Sequence, residues 1–155
     1  MVHEAADRPA VAMSSWKADV MPTLPLPDAL RELLAKPNPA VVATLRRDGT
    51  PVTVATWYAL DGDRILLNMD HSRVRVEHLK RDPRVSVTVI DEASFYTHVS
   101  FVGSVVEWRE DEDLADIDRL SQRYLGHPYS TRDRPRVSAW VGIERWHGWG
   151  AGKRR

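Results

Sequence analysis

From position 68 to 75 the chain reads Asn68-Met69-Asp70-His71-Ser72-Arg73-Val74-Arg75, and no other stretch is as rich in residues that could do chemistry. An aliphatic, strand-like run ends here in a polar turn, and helical spacing follows. Backbone N–H groups at a helix start lack intrahelical partners and attract anions. Arg73 and Arg75 fall in or beside that first turn, where the helix dipole disfavours cations. A bound phosphate would reverse the sign of that penalty, with each guanidinium offering a fork of donors. The alternative is a pair of surface arginines bridging to Asp70 or Glu77.

Other residue types offer less. The histidines, His3, His71, His78, His98, His127 and His147, lack metal-ligand spacing, so no metal site is expected. Glu107, Glu110, Asp111, Glu112 and Asp113 read as a solvated strand end followed by the negative first turn of a helix. The glycines are scattered in turns, with no nucleophile elbow, dinucleotide fingerprint or phosphate loop. Trp57, Trp140 and Trp146 fall on expected strands, where an aromatic ring either borders a planar ligand or fills core and interface.

The elements that must position these residues follow from hydrophobic period. Pro27-Asp28 opens a short helix, Ala29 to Ala35, with Leu30, Leu33 and Leu34 on one face. Val41 to Arg46 is a strand ended by Asp48-Gly49, a hairpin signal. Pro51 to Leu60 is its return strand, and after Asp61-Gly62 comes a third, Arg64 to Met69, making an antiparallel meander. A helix from Arg73 to Arg81 stops at Asp82-Pro83. Val85, Val87 and Val89 alternate with polar residues in a half-buried strand. Phe95 to Trp108 is a long strand with a bend or bulge at Gly103. Asp111 to Leu125 is a helix capped by Gly126, and Val137 to Trp146 is the last strand. Six mostly antiparallel strands with short flanking helices favour a mainly β (α+β) barrel, which removes sheet edges. Residues 1–26 read as a loose arm, 27–150 as one domain and 151–155 as a tail.

Bulk properties narrow the function classes. The chain has 155 residues, enough for one well-packed domain. Lys plus Arg equal Asp plus Glu at 22 each, so no overall field draws nucleic acid or an anionic membrane surface. Cysteine is absent, which removes disulfides, thiolate zinc sites and cysteine nucleophiles. No apolar run approaches the ~18–20 residues that span a bilayer, and the N-terminus does not read as a signal peptide. The cytoplasm is the expected compartment.

The order and spacing of several short runs resemble a known family. They are Val41-Val42-Ala43-Thr44-Leu45 before Asp48-Gly49-x-Pro51, then Trp57-Tyr58, then Ser72-Arg73-x-Arg75 leading to Leu79-Lys80-Arg81-Asp82-Pro83-Arg84. Arg123-Tyr124-Leu125-Gly126 and the closing Gly148-Trp149-Gly150 belong with them. Over residues 28–150 the chain is similar to the split-barrel flavin and deazaflavin oxidoreductases related to pyridoxamine 5′-phosphate oxidase, and within them to the branch that uses coenzyme F420.

That resemblance implies a six-stranded antiparallel split barrel that forms a homodimer, with two cofactor sites at the subunit interface. It implies that Arg73 and Arg75 hold the cofactor phosphate, with Ser72 beside them among the cofactor-binding residues. The tricyclic ring would lie against the backbone of Val54, Ala55, Thr56 and Trp57, with Leu67 and Asn68 near the phosphate and ribityl chain. Lys80, with Arg81 and Arg84, would line an outer edge and meet the polyglutamate tail of F420. The Ser72-Arg73-Val74-Arg75 run departs from the Ser-Arg-Lys run usual in pyridoxamine-phosphate oxidases, which leans toward F420 while leaving FMN open. The implied function is hydride transfer between reduced deazaflavin and a small unsaturated or conjugated substrate. The alternatives are an FMN-dependent oxidase or reductase, or a flavin- or tetrapyrrole-binding protein without turnover. No catalytic residue is assigned, since the cofactor carries the chemistry; Tyr124, Tyr96 and His98 are the proton donors to consider.

Overall fold

Asp48-Gly49 turns the chain back on itself with Gly49 at φ 84, joining β1 (Ala40–Leu45) to β2 (Pro51–Thr56) in register from Ala40↔Thr56 to Leu45↔Pro51. In this computed structural model, which describes residues 21–150, β2 does not continue into the next hairpin. Trp57 and Tyr58 leave the ladder, and the chain resumes as β3 (Ala59–Asp61), paired with β4 (Arg64–Asp70) at the far edge of the sheet. Next come α2 (Val74–Arg81), β5 (Arg84–Asp91), β6 (Ser94–Glu110), α3 (Ala115–Leu125) and β7 (Arg136–Trp149), while α1 (Asp28–Ala35) precedes β1.

The strands form one antiparallel sheet in the order β2-β1-β5-β6-β7-β4-β3. Its two edge strands are neighbours in the chain, so the wall is bridged by Trp57-Tyr58 and not by a hydrogen-bonded ladder. This is a split barrel of seven strands, where six strands and a three-strand meander were expected. The cause is the Tyr58 side chain. It is fully buried, and its hydroxyl lies 3.1 Å from the carbonyl of Leu34 and 3.0 Å from that of Lys36, which draws the chain off β2. Apolar alternation runs unbroken across this point, so period alone conceals the jump.

The core follows the two-residue period of the strands. Val42, Val87, Val99, Phe101, Ile65, Met69, Val137, Ala139 and Val141 point inward, closed at one end by Leu30, Leu33 and Leu34 of α1. The opposite side of β4 and β7 carries a second cluster, Leu66 and Trp140 with Ile117 and Leu120 of α3. β4 is therefore buried on both faces, which explains its nearly continuous apolar run. The β6–β7 ladder shifts register at Val102/Gly103. A Cβ at Gly103 would sit 1.9 Å from the carbonyl oxygen of Gly142, so the bulge expected there needs glycine.

The loose arm expected over 1–26 lies outside the described residues up to position 20, as does the tail 151–155. Its last part is held. Trp146 donates its backbone N–H to Pro22 (3.0 Å) and its indole N–H to Thr23 (3.0 Å), and Leu26 is buried. Among the described residues no helix is long and apolar enough to cross a membrane.

Asp82 ends α2 as expected and supplies a stability test. Its carboxylate accepts hydrogen bonds from the Arg84 side chain at Nε (3.0 Å) and Nη2 (2.7 Å) and from the Arg84 backbone N–H (3.2 Å). The Arg84 side-chain bond, then the backbone bond, hold its pKa down to about 2. A carboxyl whose folded pKa lies below its ordinary ~3.9 contributes stability above that value and loses it as pH falls toward the folded one. Asp82→Asn is therefore expected to flatten the fall in thermal midpoint between about pH 4 and pH 2. An acid limb identical to that of the parent protein would contradict the assignment.

Candidate functional site

α2 runs alongside β1 in the same direction, since His78 Nδ1 lies 2.9 Å from Thr44 Oγ1 and Arg81 donates to the Leu45 carbonyl one turn later. The start of α2 therefore sits by the start of β1, where β2 leaves the sheet. There a cleft of about 590 Å³ opens, within the range of small-molecule and cofactor sites. Its walls come from the chain before β1 (Pro37, Pro39), the end of β2 (Ala55, Thr56, Trp57), the inner face of α3 (Ile117, Leu120, Tyr124) and Tyr129. Asn68, Arg75 and Arg136 line it too, as does Glu92 from the β5–β6 turn.

One end is cationic. Arg75 is half-buried, its Nε has no partner, and it makes no ion pair among the described residues. Burial, then the charges of Arg73 and Arg136, pull its pKa below the ordinary guanidinium range. A guanidinium stays protonated in proteins, so the cost of crowding remains unrelieved until an anion arrives. Arg136, the first residue of β7, is aimed by a buried network. Its Nε donates to Asn68 Oδ1 (2.6 Å), and Asn68 Nδ2 donates to Asp111 Oδ2 (2.9 Å) and Ser138 Oγ (3.0 Å). Ser138 Oγ in turn donates to Asp116 Oδ2 (2.6 Å).

Asp111 anchors that network. It was expected to open α3, but the helix starts four residues later, after Leu114 in the left-handed region at φ 59. From outside the helix the buried Asp111 carboxylate accepts the N–H groups of Asp116 and Ile117, both at 3.0 Å. It caps the helix N-terminus, and the oxygen that takes the Ile117 N–H, Oδ2, also holds Asn68.

The middle of the cleft is aromatic. Trp57 stacks on Tyr124 (5.4 Å, 9°) and meets the edge of Tyr129 (6.3 Å, 88°), and the Arg136 guanidinium lies over the Tyr129 ring at 4.8 Å. Tyr124 donates its hydroxyl to the Asn38 carbonyl (2.8 Å), and burial pushes its pKa up. Its hydroxyl proton is thus engaged by the Asn38 carbonyl in this structure. Tyr96 is exposed and stacked on Phe95, and His98 Nδ1 faces the Phe95 carbonyl; neither lines the cleft.

Of the residues read as cofactor-binding, Ala55, Thr56, Trp57, Asn68 and Arg75 meet in the cleft. Five others do not line it. Leu67 is in the core, because its side chain falls on the inward face of β4, and Val54 is exposed on the edge strand. Ser72 gives its N–H to Asp70 Oδ1 (2.8 Å), and Arg73 precedes α2, exposed, near enough to act on Arg75 by charge. Lys80 lies over Trp108 at 5.5 Å, one and a half turns along α2 from Arg75, while Arg81 and Arg84 bond to Leu45 and Asp82, and none of the three lines the cleft. Trp140 and Trp146 are core residues. Arg136, Tyr129 and Glu92 were not singled out. The run Arg132-x-Arg134-x-Arg136 is the available sequence signal for the first.

The seven-stranded split barrel, with its cationic corner and aromatic-walled cleft, places the chain in the class of small split-barrel proteins. A family model described as pyridoxamine 5′-phosphate oxidase matches residues 26–150, and the chain belongs to that family. No curated protein matches it. Among solved structures it is similar to an F420 reductase, with 28% identity, TM-score 0.73, and coverage of 79% of this chain and 98% of that one. It is also similar to a conserved hypothetical protein from Mycobacterium tuberculosis, with 26% identity, TM-score 0.67, and 83% and 87% coverage. General Stress Protein 26 from Bacillus anthracis shares the fold at 14% identity, TM-score 0.60, and 78% and 91% coverage. The fold is that of flavin and deazaflavin oxidoreductases.

Proposed function

We propose that this protein is an F420-dependent oxidoreductase that moves a hydride between reduced deazaflavin and a small unsaturated or conjugated substrate. The observation that carries the reading is the half-buried, unpaired Arg75 beside Arg136 and Arg73. That donor set fits a phosphate and leaves little reason for the arrangement without one. Similarity at 28% identity to an F420 reductase favours the deazaflavin over FMN.

In this reading Arg75 and Arg136 grip the phosphate, and Asn68 holds Arg136 in line. Trp57 and Tyr129 flank the ring, with the backbone of Ala55, Thr56 and Trp57 alongside. Ile117 and Leu120 exclude water from the same space. The bound deazaflavin supplies the hydride chemistry, and the protein supplies placement and electrostatics. A homodimer belongs to the reading, supported by the exposure of Val52 and Val54 along edge strand β2 and of Val102 on β6. Sedimentation equilibrium giving a monomer at micromolar concentration would remove it.

The test is a titration of F420 and of FMN, followed by mixing the protein with reduced F420 and a panel of quinones and nitroaromatics. Tighter F420 binding with oxidation of the reduced coenzyme is expected. Tighter FMN binding would replace the deazaflavin with a flavin, and binding without turnover by any acceptor would leave a cofactor carrier.

A further inference from the structure

The cleft holds both signs of charge, and a chain of contacts joins Arg136 to its acidic residue. Arg136 covers Tyr129, Tyr129 meets Trp57, and Trp57 stacks on Tyr124. Tyr124 bonds to the Asn38 carbonyl, and Asn38 Oδ1 accepts the backbone N–H of Glu92 at 3.1 Å. The two ends are also opposite ends of β6. Arg136 accepts from Asp111 just past its last residue, whereas Glu92 sits in the turn before its first. From Arg136 the contacts therefore run through the aromatic wall to the turn that carries Glu92.

Among the described residues Glu92 is the one acidic residue lining this space, and its exposed carboxylate has no hydrogen-bond or ion-pair partner among them. Its backbone is fixed all the same. Asn38 is buried, donates through Nδ2 to the Leu33 carbonyl (2.8 Å), and so ties the β5–β6 turn to α1 and to Tyr124 at once. A carboxylate without a partner among the described residues, on a pinned turn and joined to Arg136 only through the aromatic wall, has an electrostatic preference of its own.

We infer that Glu92 selects the substrate: the molecule reduced or oxidised in this cleft carries a protonated amine or a comparable hydrogen-bond donor on the end that meets Glu92. This rests on reading the cleft as a cofactor-and-substrate site. It narrows the substrate class from any conjugated molecule to a cationic or donor-bearing one, and disfavours a substrate with a carboxylate at that end. The Asn38–Glu92 bond positions the turn, and Glu92 makes the contact.

Three probes of one shape test the inference: para-nitrobenzylamine, para-nitrotoluene and para-nitrobenzoate, titrated by calorimetry into F420-saturated and cofactor-free protein. The ammonium probe is expected to bind about three- to tenfold more tightly than the neutral one, as suits a partly solvated ion pair, with the carboxylate probe weakest. Glu92→Gln keeps size and polarity at an exposed position, and the ratio of ammonium to neutral binding is expected to fall to near one. A preference that survives in Glu92→Gln, or its absence in the parent protein, overturns the inference. Failure of F420 to bind would instead strike the proposed function, and the cofactor-free titrations would still report on Glu92.

Discussion

Arg75→Ala and Arg136→Ala combined are expected to weaken binding of the phosphorylated cofactor by about 10²- to 10⁴-fold. A charge-assisted contact contributes roughly 1.5–3 kcal/mol, and each 1.4 kcal/mol is tenfold in affinity. The two single variants should not sum to the double, because each guanidinium raises the cost of the other's charge. Arg75 has the larger expected effect, since its Nε is buried with no partner. Removing Arg75 alone is also expected to leave the fold intact or firmer, as it takes a crowded cation out of the apo protein. Calorimetric titration with thermal melts of each variant checks both halves. Lower stability with unchanged affinity would assign Arg75 to the scaffold.

Asp111→Ala is expected to cost about 2–4 kcal/mol, from a lost helix cap and buried donors left unsatisfied. It strips acceptors from the N–H groups of Asp116 and Ile117 and from the Asn68 amide together. For a chain of this size that lowers the thermal midpoint by roughly 10 °C. Asp111→Asn retains an acceptor oxygen and should lose less. Because Asn68 aims Arg136, cofactor affinity should fall as well, even at temperatures where the variant remains folded. A variant with an unchanged melt would mean the network is replaced by water.

The legible features are those with a local cause. Helix α1 was readable from the spacing of Leu30, Leu33 and Leu34, the Gly126 cap from a glycine that adopts φ 78, and the bulge from Gly103. The anion corner was half visible. Arg75 stands out because a cation at a helix start is locally unfavourable. Arg136 is not at a helix start, and what brings it to the cleft is the β4–β7 ladder and its bond to Asn68, contacts between residues far apart in the chain. The break after Thr56 was hidden for a related reason. Tyr58 is drawn inward by carbonyls at the end of α1, and nothing in the run Pro51 to Leu60 records where those carbonyls lie. Asp111 was misread because acidic residues at a helix start serve equally as first-turn charges or as a cap, and only the backbone path decides. Glu92 carries no local signal either, since its turn is fixed by Asn38, a residue far away in the chain.

The most direct measurement compares two deazaflavins, one with its phosphate-bearing side chain and one without, on the parent protein and on the Arg75→Ala/Arg136→Ala variant. The parent is expected to prefer the phosphorylated form strongly, and the variant to bind both about equally weakly. Equal binding of the two by the parent, or a preference undiminished in the variant, would contradict an anion-gripping corner at Arg75 and Arg136.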